Sequence, residues 1–493
     1  MTPVLWLLCM IALPATGSAA CLLVAEPRRM LRVPVASSCA AFAATIPLAL
    51  RLHAAGRFLL CNGTFLIDAL SLFHIVLVNG IFMVTAVYAG GYFRRQGTIM
   101  APLFMRRYCM LWQGFQAMLL LVLVSNNIGV MWVALEATTL LSAFLILTDG
   151  NPLSIEAMWK YLLVCSVGIV FAFMGTLLTV AAARGFPSGE GVFLFTGLGA
   201  HAALLKAKVM LFAFIFIVVG FGTKAGLSPM HTWLPDAHSQ APTPVSAVFS
   251  GVMLNCALYC IMRYLPIAEA ALGHSGAAKS ILLLFGFGSL VFAAAFVPVQ
   301  HDMKRLLAYC SVEHIGIIAI GLGLGGFGIF AALLHTVNHS VAKVIAFFSA
   351  GHLADTYETR DMRRIAGSVE RSPLWGTGFF VSVLALIGVA PFAIFMSEFL
   401  IVREAFLRGR YVLVTLFLAC ALAIFMSILR KVMKVSFGTV NAPAGQRIKT
   451  RVPDLVVVAG GFALCLLLGL WIPTPFAAFL HAASGAVERG FTP

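Results

Sequence analysis

Charge is scarce in this chain. Asp, Glu, Lys and Arg make up 10% of 493 residues, and only 18 residues are acidic. A soluble globular domain carries about 25% charged residues, so an ordinary water-soluble fold is excluded. Residues 109–135 and 137–148 contain no charged side chain at all. The 11 cysteines form no C-x-x-C pair and show no metal-ligand spacing, which leaves them as small apolar residues rather than cluster ligands. The glycine-rich "GLGLGGFG" (321–328) lies inside an apolar region and lacks the strand–turn–helix setting of a dinucleotide site. No cofactor, metal site or catalytic residue is expected. The N-terminus has no basic residue before its apolar run, and that run continues past Cys21, so it reads as a spanning helix and not a cleaved signal.

Apolar residues are what the chain has in abundance, at 61%. A helix needs about 20 such residues to cross a bilayer. About fourteen segments qualify, at roughly 3–24, 33–50, 65–90, 109–125, 127–148, 157–183, 208–227, 243–264, 280–299, 305–324, 326–352, 374–396, 411–432 and 454–473. The expectation is an all-α, polytopic membrane protein that lies in a lipid bilayer. The net charge of +15 belongs to this topology and not to nucleic-acid binding. Lys and Arg crowd the loops after odd-numbered helices, notably 94–107, 360–371 and 434–451, where Arg447 and Lys449 lie. The positive-inside rule puts those loops in the cytoplasm and both termini outside.

The few polar residues inside the spans are ordered. Glu136, Lys160 and Lys224 are matched 174 to 177 residues further on by Glu313, His335 and Glu398. Two copies of five helices would pair this way, and an odd number per copy inverts the second in the membrane. The chain then divides into three N-terminal helices (1–107), a first repeat (108–264), a second repeat (280–432) and a last helix (454–473). Pro229 and the prolines after Lys224, and Pro391 before Glu398 with Gly388 nearby, point to discontinuous helices seven and twelve. Backbone groups freed there need protein or water as partners, since lipid offers none.

Three titratable residues, His335, His339 and Lys343, recur every fourth position and so line one face of the eleventh helix over about 12 Å. The bland reading is core histidines with a snorkelling lysine; the sharper one is a proton path, because histidine titrates near neutrality and carries protons on two nitrogens. Glu136 is expected to pair with Lys224, since an unpartnered carboxylate there would protonate. Glu313 and His314 are placed near the helix end by Lys304 and Arg305. Asp68 and His74 flank the third helix and read as interface residues. His231, Asp236 and His238, in the proline-rich stretch, serve either proton uptake or helix capping and loop hydrogen bonds.

"FGTKAGLSPMHTWLPDAHSQAPTPVSA", "MWVALEATTLLSAF", "LLAYCSVEHIGIIAIG", "HTVNHSVAKVIAFFSAG" and "FAIFMSEFLI" resemble the antiporter-like membrane subunits of respiratory complex I, multisubunit cation/proton antiporters and group 4 hydrogenases. The similarity spans about 65–432, and the "SVEHIGI" and "PFAIFMSEF" stretches look most like the F-type subunit of hydrogenase-4 or formate hydrogenlyase-type complexes. The chain ends soon after its last expected span, with no long lateral helix expected. The resemblance implies a subunit that moves protons, with sodium as the other ion to consider, while a soluble arm does redox chemistry. It implies partner membrane subunits and proton-transfer roles for Glu136, Lys224, His335, His339, Lys343 and Glu398. One departure stands out. The eighth helix offers Asn255 where relatives carry a titratable residue, and an amide orients water but holds no proton. Two other functions remain open: a component of a cation/proton antiporter, and a non-pumping membrane anchor for a redox or carbon-handling partner.

Overall fold

Inside a bilayer every backbone N–H and C=O must be satisfied within the segment, so apolar runs of this length fold as helices. The computed structural model describes residues 3–95, 101–147, 150–186, 191–439 and 451–490; Arg447 and Lys449 lie outside them. Short helical turns aside, the chain runs through α1 (Pro3–Leu23), α2 (Arg32–Ala55), α3 (Ala69–Arg95), α4 (Pro102–Val124), α5 (Ile128–Ile146), α6 (Pro152–Ala182), α7 (Ala207–Ala225) and α8 (Trp233–Gln240). It continues through α9 (Thr243–Ala271), α10 (Ala277–Phe296), α11 (Met303–Leu324), α12 (Phe327–Tyr357), α13 (Pro373–Leu386), α14 (Ala393–Leu407), α15 (Tyr411–Phe437), α16 (Val452–Leu470) and α17 (Thr474–Arg489). Among the described residues 13 helical stretches are long and apolar enough to cross a membrane. The fourteenth expected span, 374–396, is divided between α13, apolar but only 14 residues long, and the start of α14. Two features had no sequence signal: a hairpin of β1 (Phe58–Leu60) and β2 (Phe65–Ile67) before α3, and the terminal helix α17.

Both expected breaks are present, and both are made the same way. Helix α7 stops where Gly226 turns left-handed (φ 84), with the amide of Leu227 donating to Gly222 at 2.8 Å. Helix α13 stops where Gly388 does the same (φ 70), with the amide of Val389 donating to Leu384 at 3.1 Å. This is the glycine-capped helix end that returns the chain over its last turn. The glycines, not the prolines that drew attention in the sequence, terminate the helices; Pro229 and Pro391 follow the caps. The indole of Trp233 donates to the carbonyl of Thr223 at 2.9 Å, closing one of the backbone groups freed in α7.

Helix α9 is buried along nearly its whole length, with α12 beside it. A π-helical turn at Phe249–Met253 widens α9 where the two meet; such turns are frequent at functional sites. Close helix pairs rely on glycine. A Cβ on Gly286 of α10 would lie 2.7 Å from the Gly316 carbonyl of α11, and one on Gly175 of α6 would lie 2.8 Å from the Ala213 carbonyl of α7. Lipid supplies no hydrophobic drive between helices, so small residues that let backbones meet carry the association.

The polar rims separate by end. Asp236 joins Lys160 (3.2 Å) and Arg305, Asp302 joins Arg360 (3.5 Å), Asp355 joins Arg95 (3.7 Å) and Asp361 joins Arg363 (2.8 Å). All of these bind together loops and helix ends expected on one side. Hydrogen bonds from the Arg363 guanidinium hold the Asp361 carboxyl down to about 2. At the other rim Glu488 of α17 accepts from Lys279 (2.9 Å) and from the Gly326 amide (2.9 Å).

Candidate functional site

Lys224 sits in the last turn of α7, fully buried. The partial negative charge of a helix C-terminus suits a cation there. Its ammonium donates to the Tyr161 hydroxyl at 2.6 Å and to Thr139 Oγ1 at 2.8 Å; Tyr161 in turn shares a 2.5 Å hydrogen bond with Ser142. The expected ion pair with Glu136 is not formed. Thr139, one helical turn after Glu136 on α5, contacts both groups and takes the lysine's hydrogen bond. Glu136 keeps a buried oxygen, Oε2, without a hydrogen-bond partner. The sequence reading missed Thr139 and Ser142, because such hydroxyls are commonplace in apolar helices and bond back to their own backbone, and Tyr161, because an aromatic ring in an apolar helix reads as core.

Beyond Tyr161 the row crosses to the second half through aromatic packing and one histidine. The Tyr161 ring meets Trp233 at 4.9 Å and Phe249 at 6.3 Å. His238 lies 6.1 Å from Phe249 and stacks at 5.3 Å on Phe347 of α12. Neither of its ring nitrogens has a hydrogen-bond partner, although the residue is fully buried. His238 thus lies on the short helix α8 and not in a loop, and it caps nothing: its ring packs in the core between Phe249 and Phe347.

In the second half Lys343 donates to the Leu307 carbonyl of α11 at 2.5 Å. One turn back, His339 is fully buried with both nitrogens unpartnered, and its ring stands 5.1 Å from that of His314. Nδ1 of His314 and Nε2 of His335 are 3.0 Å apart, and Nδ1 of His335 lies 2.9 Å from Ser397 Oγ on α14. Glu398 follows directly, its carboxylate within 4.8 Å of ligand nitrogens on His314 and His335. The every-fourth-residue face of α12 is present, while Ser397 and the meeting of His314 with His335 are additions that only the fold reveals. His314 and Glu313 are not at a helix end; both are buried well inside α11.

Asn255 follows the π-helical turn and donates from Nδ2 to Gly251 O (2.8 Å) and Ser340 Oγ (3.0 Å), tying α9 to α12; its Oδ1 is buried without a partner. The remaining candidates stand apart. Lys160 and Asp236 belong to the ion-paired rim, and Lys160 is half exposed. His231 packs edge-on to Phe292 and Tyr309. Asp68 and His74 are not simple interface markers. Asp68 grips the buried Arg263 through two 2.6 Å hydrogen bonds, and Arg263 also reaches Tyr259 and Ser71. His74 lies beside Tyr259 at 5.1 Å.

Buried side-chain nitrogens and oxygens on His238, His339, His314, Asn255 and Glu136 keep hydrogen-bonding capacity that no protein group takes up, the kind of polar atom that buried water serves in proteins. In space the polar groups follow one another as Glu136, Lys224 with Tyr161, His238, Lys343, His339, His314, His335 and Glu398. This row brings together carboxylate, amine and imidazole groups, the side-chain types that can exchange protons, with histidine the one whose unperturbed range lies near neutrality.

Known proteins share both sequence and fold. A hydrogenase-4 component F homolog of Methylacidiphilum infernorum is 39% identical over 415 residues, covering 83% of this chain and 86% of that protein. Among solved structures, a chain of the membrane-bound sulfane sulfur reductase, an archaeal respiratory membrane complex, superposes with a TM-score of 0.87 at 22% identity, covering 99% of this chain and 98% of its own. A chain of the Mrp complex from a Dietzia species gives 0.85 at 18% identity, covering 99% and 98%. The family described as NADH:quinone oxidoreductase/Mrp antiporter, TM, matches residues 125–424. With well over half its length inside that match, this multi-pass membrane chain belongs to the NADH:quinone oxidoreductase/Mrp antiporter transmembrane family.

Proposed function

We propose that the chain is the proton-translocating membrane subunit of a redox-driven complex of the hydrogenase-4 kind, formate hydrogenlyase-type assemblies included. It performs no redox chemistry itself; a soluble arm of partner subunits does that, and neighbouring membrane subunits flank this one. The observation that carries the reading is the row from Lys224 to Glu398, buried except at its partly buried terminal carboxylate, two ionisable half-sites bridged by His238 with hydrogen-bonding capacity left open for water. Matching glycine caps beside Lys224 and Glu398 support the inverted five-helix repeat, and the basic rim supports a cytoplasmic face at that end with both termini outside.

Lys224 is the switch in this scheme. It is held by neutral hydroxyls, with Glu136 close but not bonded, so a small movement of α5 against α7 trades the hydroxyl partners for the carboxylate. Breaking a buried charge's partnership costs about 3–5 kcal/mol, enough to move a proton on or off the amine. The test is Lys224→Met in the assembled complex in sealed vesicles. Subunit content and dye-linked redox activity should be retained while proton uptake falls at least about tenfold, the factor carried by 1.4 kcal/mol. Lys224→Arg should fail likewise, because guanidinium stays protonated. Full proton movement in an intact Lys224→Met complex overturns the reading.

A further inference from the structure

The structure assigns His314, His335 and Glu398 to a second role: together they form a binding site for one divalent cation of the zinc type. The three residues come from α11, α12 and α14, and their ligand atoms lie within 4.8 Å of one another. Two imidazole nitrogens and a carboxylate oxygen are the donor set of open zinc sites, leaving a fourth position for water. Nδ1 of His314 and Nε2 of His335 face each other at 3.0 Å. On a tetrahedral zinc with bonds of about 2.0–2.1 Å, two nitrogens stand roughly 3.3 Å apart, so a shift of a few tenths of an ångström admits the ion.

The surroundings fit as well. A ligating histidine is oriented by a hydrogen bond from its other ring nitrogen, and His335 has that bond, Nδ1 to Ser397 Oγ at 2.9 Å. The other nitrogen of His314, Nε2, is buried without a partner, as are both nitrogens of His339, whose ring stands 5.1 Å from that of His314. Position 388 leaves the carboxylate its place, since a Cβ there would collide with Glu398 Oε2. No sequence spacing marks the site, because each ligand comes from a different helix.

Binding would move the proton lying between the two imidazoles onto Nε2 of His314, keeping both rings neutral, and would release to water any extra proton on either ring or on Glu398, so zinc occupancy competes with protonation of the cluster. The inference adds to the function proposed above and rests on it only for the consequence that zinc stops proton movement. The test takes the purified complex, stripped with a chelator and reloaded with zinc chloride. Wild type should retain one zinc more than His314→Gln and Glu398→Gln complexes, and zinc-edge X-ray absorption should show imidazole scattering that both variants lose. His53→Gln, an exposed histidine, should leave retention unchanged. Ser397→Ala, which spares all three ligands, should weaken binding about tenfold. Zinc retention equal in wild type and both ligand variants overturns the site and leaves the proton row standing. Ligand-dependent zinc with proton movement unaffected upholds the site and counts against the row.

Discussion

Tyr161 holds more of the first half-site than its apolar helix suggests. Its hydroxyl accepts from Lys224 and shares a hydrogen bond with Ser142. A hydrogen bond to a charged group contributes about 1.5–3 kcal/mol. Tyr161→Phe should therefore lower the melting temperature of the complex, keep its subunits together, and slow proton uptake relative to dye-linked redox activity. Uptake unchanged at an altered melting temperature would reduce Tyr161 to a brace. Asn255 makes the complementary case. Its Nδ2 ties α9 to α12 and its Oδ1 is open, so Asn255→Leu removes both a brace and a water site. Stopped-flow proton uptake should slow in that variant; an unaltered rate would mean that no proton passes by way of Asn255. The sequence showed Glu136, Lys224, Lys343 and Glu398 because a lone charge in an apolar run is costly and conspicuous. It could not show that Thr139 would intercept Lys224, or that His314 would meet His335, since both depend on which helix faces meet. For the same reason Arg263 passed unremarked, although it anchors Asp68, Tyr259 and Ser71.

Helices here are placed by what they omit. At the α10–α11 contact the Gly286 and Gly316 backbones meet so closely that a Cβ on either would lie 2.7 Å from the other's carbonyl. Gly286→Val should separate α10 from α11, and overpacking of that kind costs about 1–3 kcal/mol. The expected outcome is a lower melting temperature and less assembled complex, with Gly288→Val harmless because a Cβ there meets nothing within 4 Å; equal stability of the two variants would refute the packing argument. Most helix positions were legible from length and hydropathy. The less legible parts were those set by local polar chemistry. The third span starts at Ala69, because residues 65–67 are drawn into the hairpin. The π-helical turn in α9 left no compositional trace, and α17 is too short and too amphipathic to be read as a span.

At the scale of the whole molecule, the rim of Arg95, Arg305, Arg360 and Arg363 fixes which ends of the helices lie together. Its excess of Arg and Lys predicts a cytoplasmic location. A single cysteine at Arg364, in a background cleared of reactive thiols, should resist a membrane-impermeant reagent in intact cells and react after permeabilisation, whereas one at Gly56 should react in both. The reverse pattern would invert the topology without altering the fold. Glu136 and Glu398, the terminal carboxylates of the row, are only partly buried, and each shares its helix with side chains exposed on the flank, Val133 and Leu140 beside one, Phe395 and Phe399 beside the other. Helix α5 packs on α4 and α6, while α14 packs on α12, α15 and α16, so the two carboxylates belong to different sides of the bundle. The consequence is one of insulation. A carboxylate turned toward hydrocarbon either stays neutral or costs several kcal/mol (about 2.5–3.5 on insertion scales). Whatever lies against each flank, lipid or protein, therefore sets the charge that the end of the row can hold, and the subunit's electrical behaviour is decided partly by its neighbours.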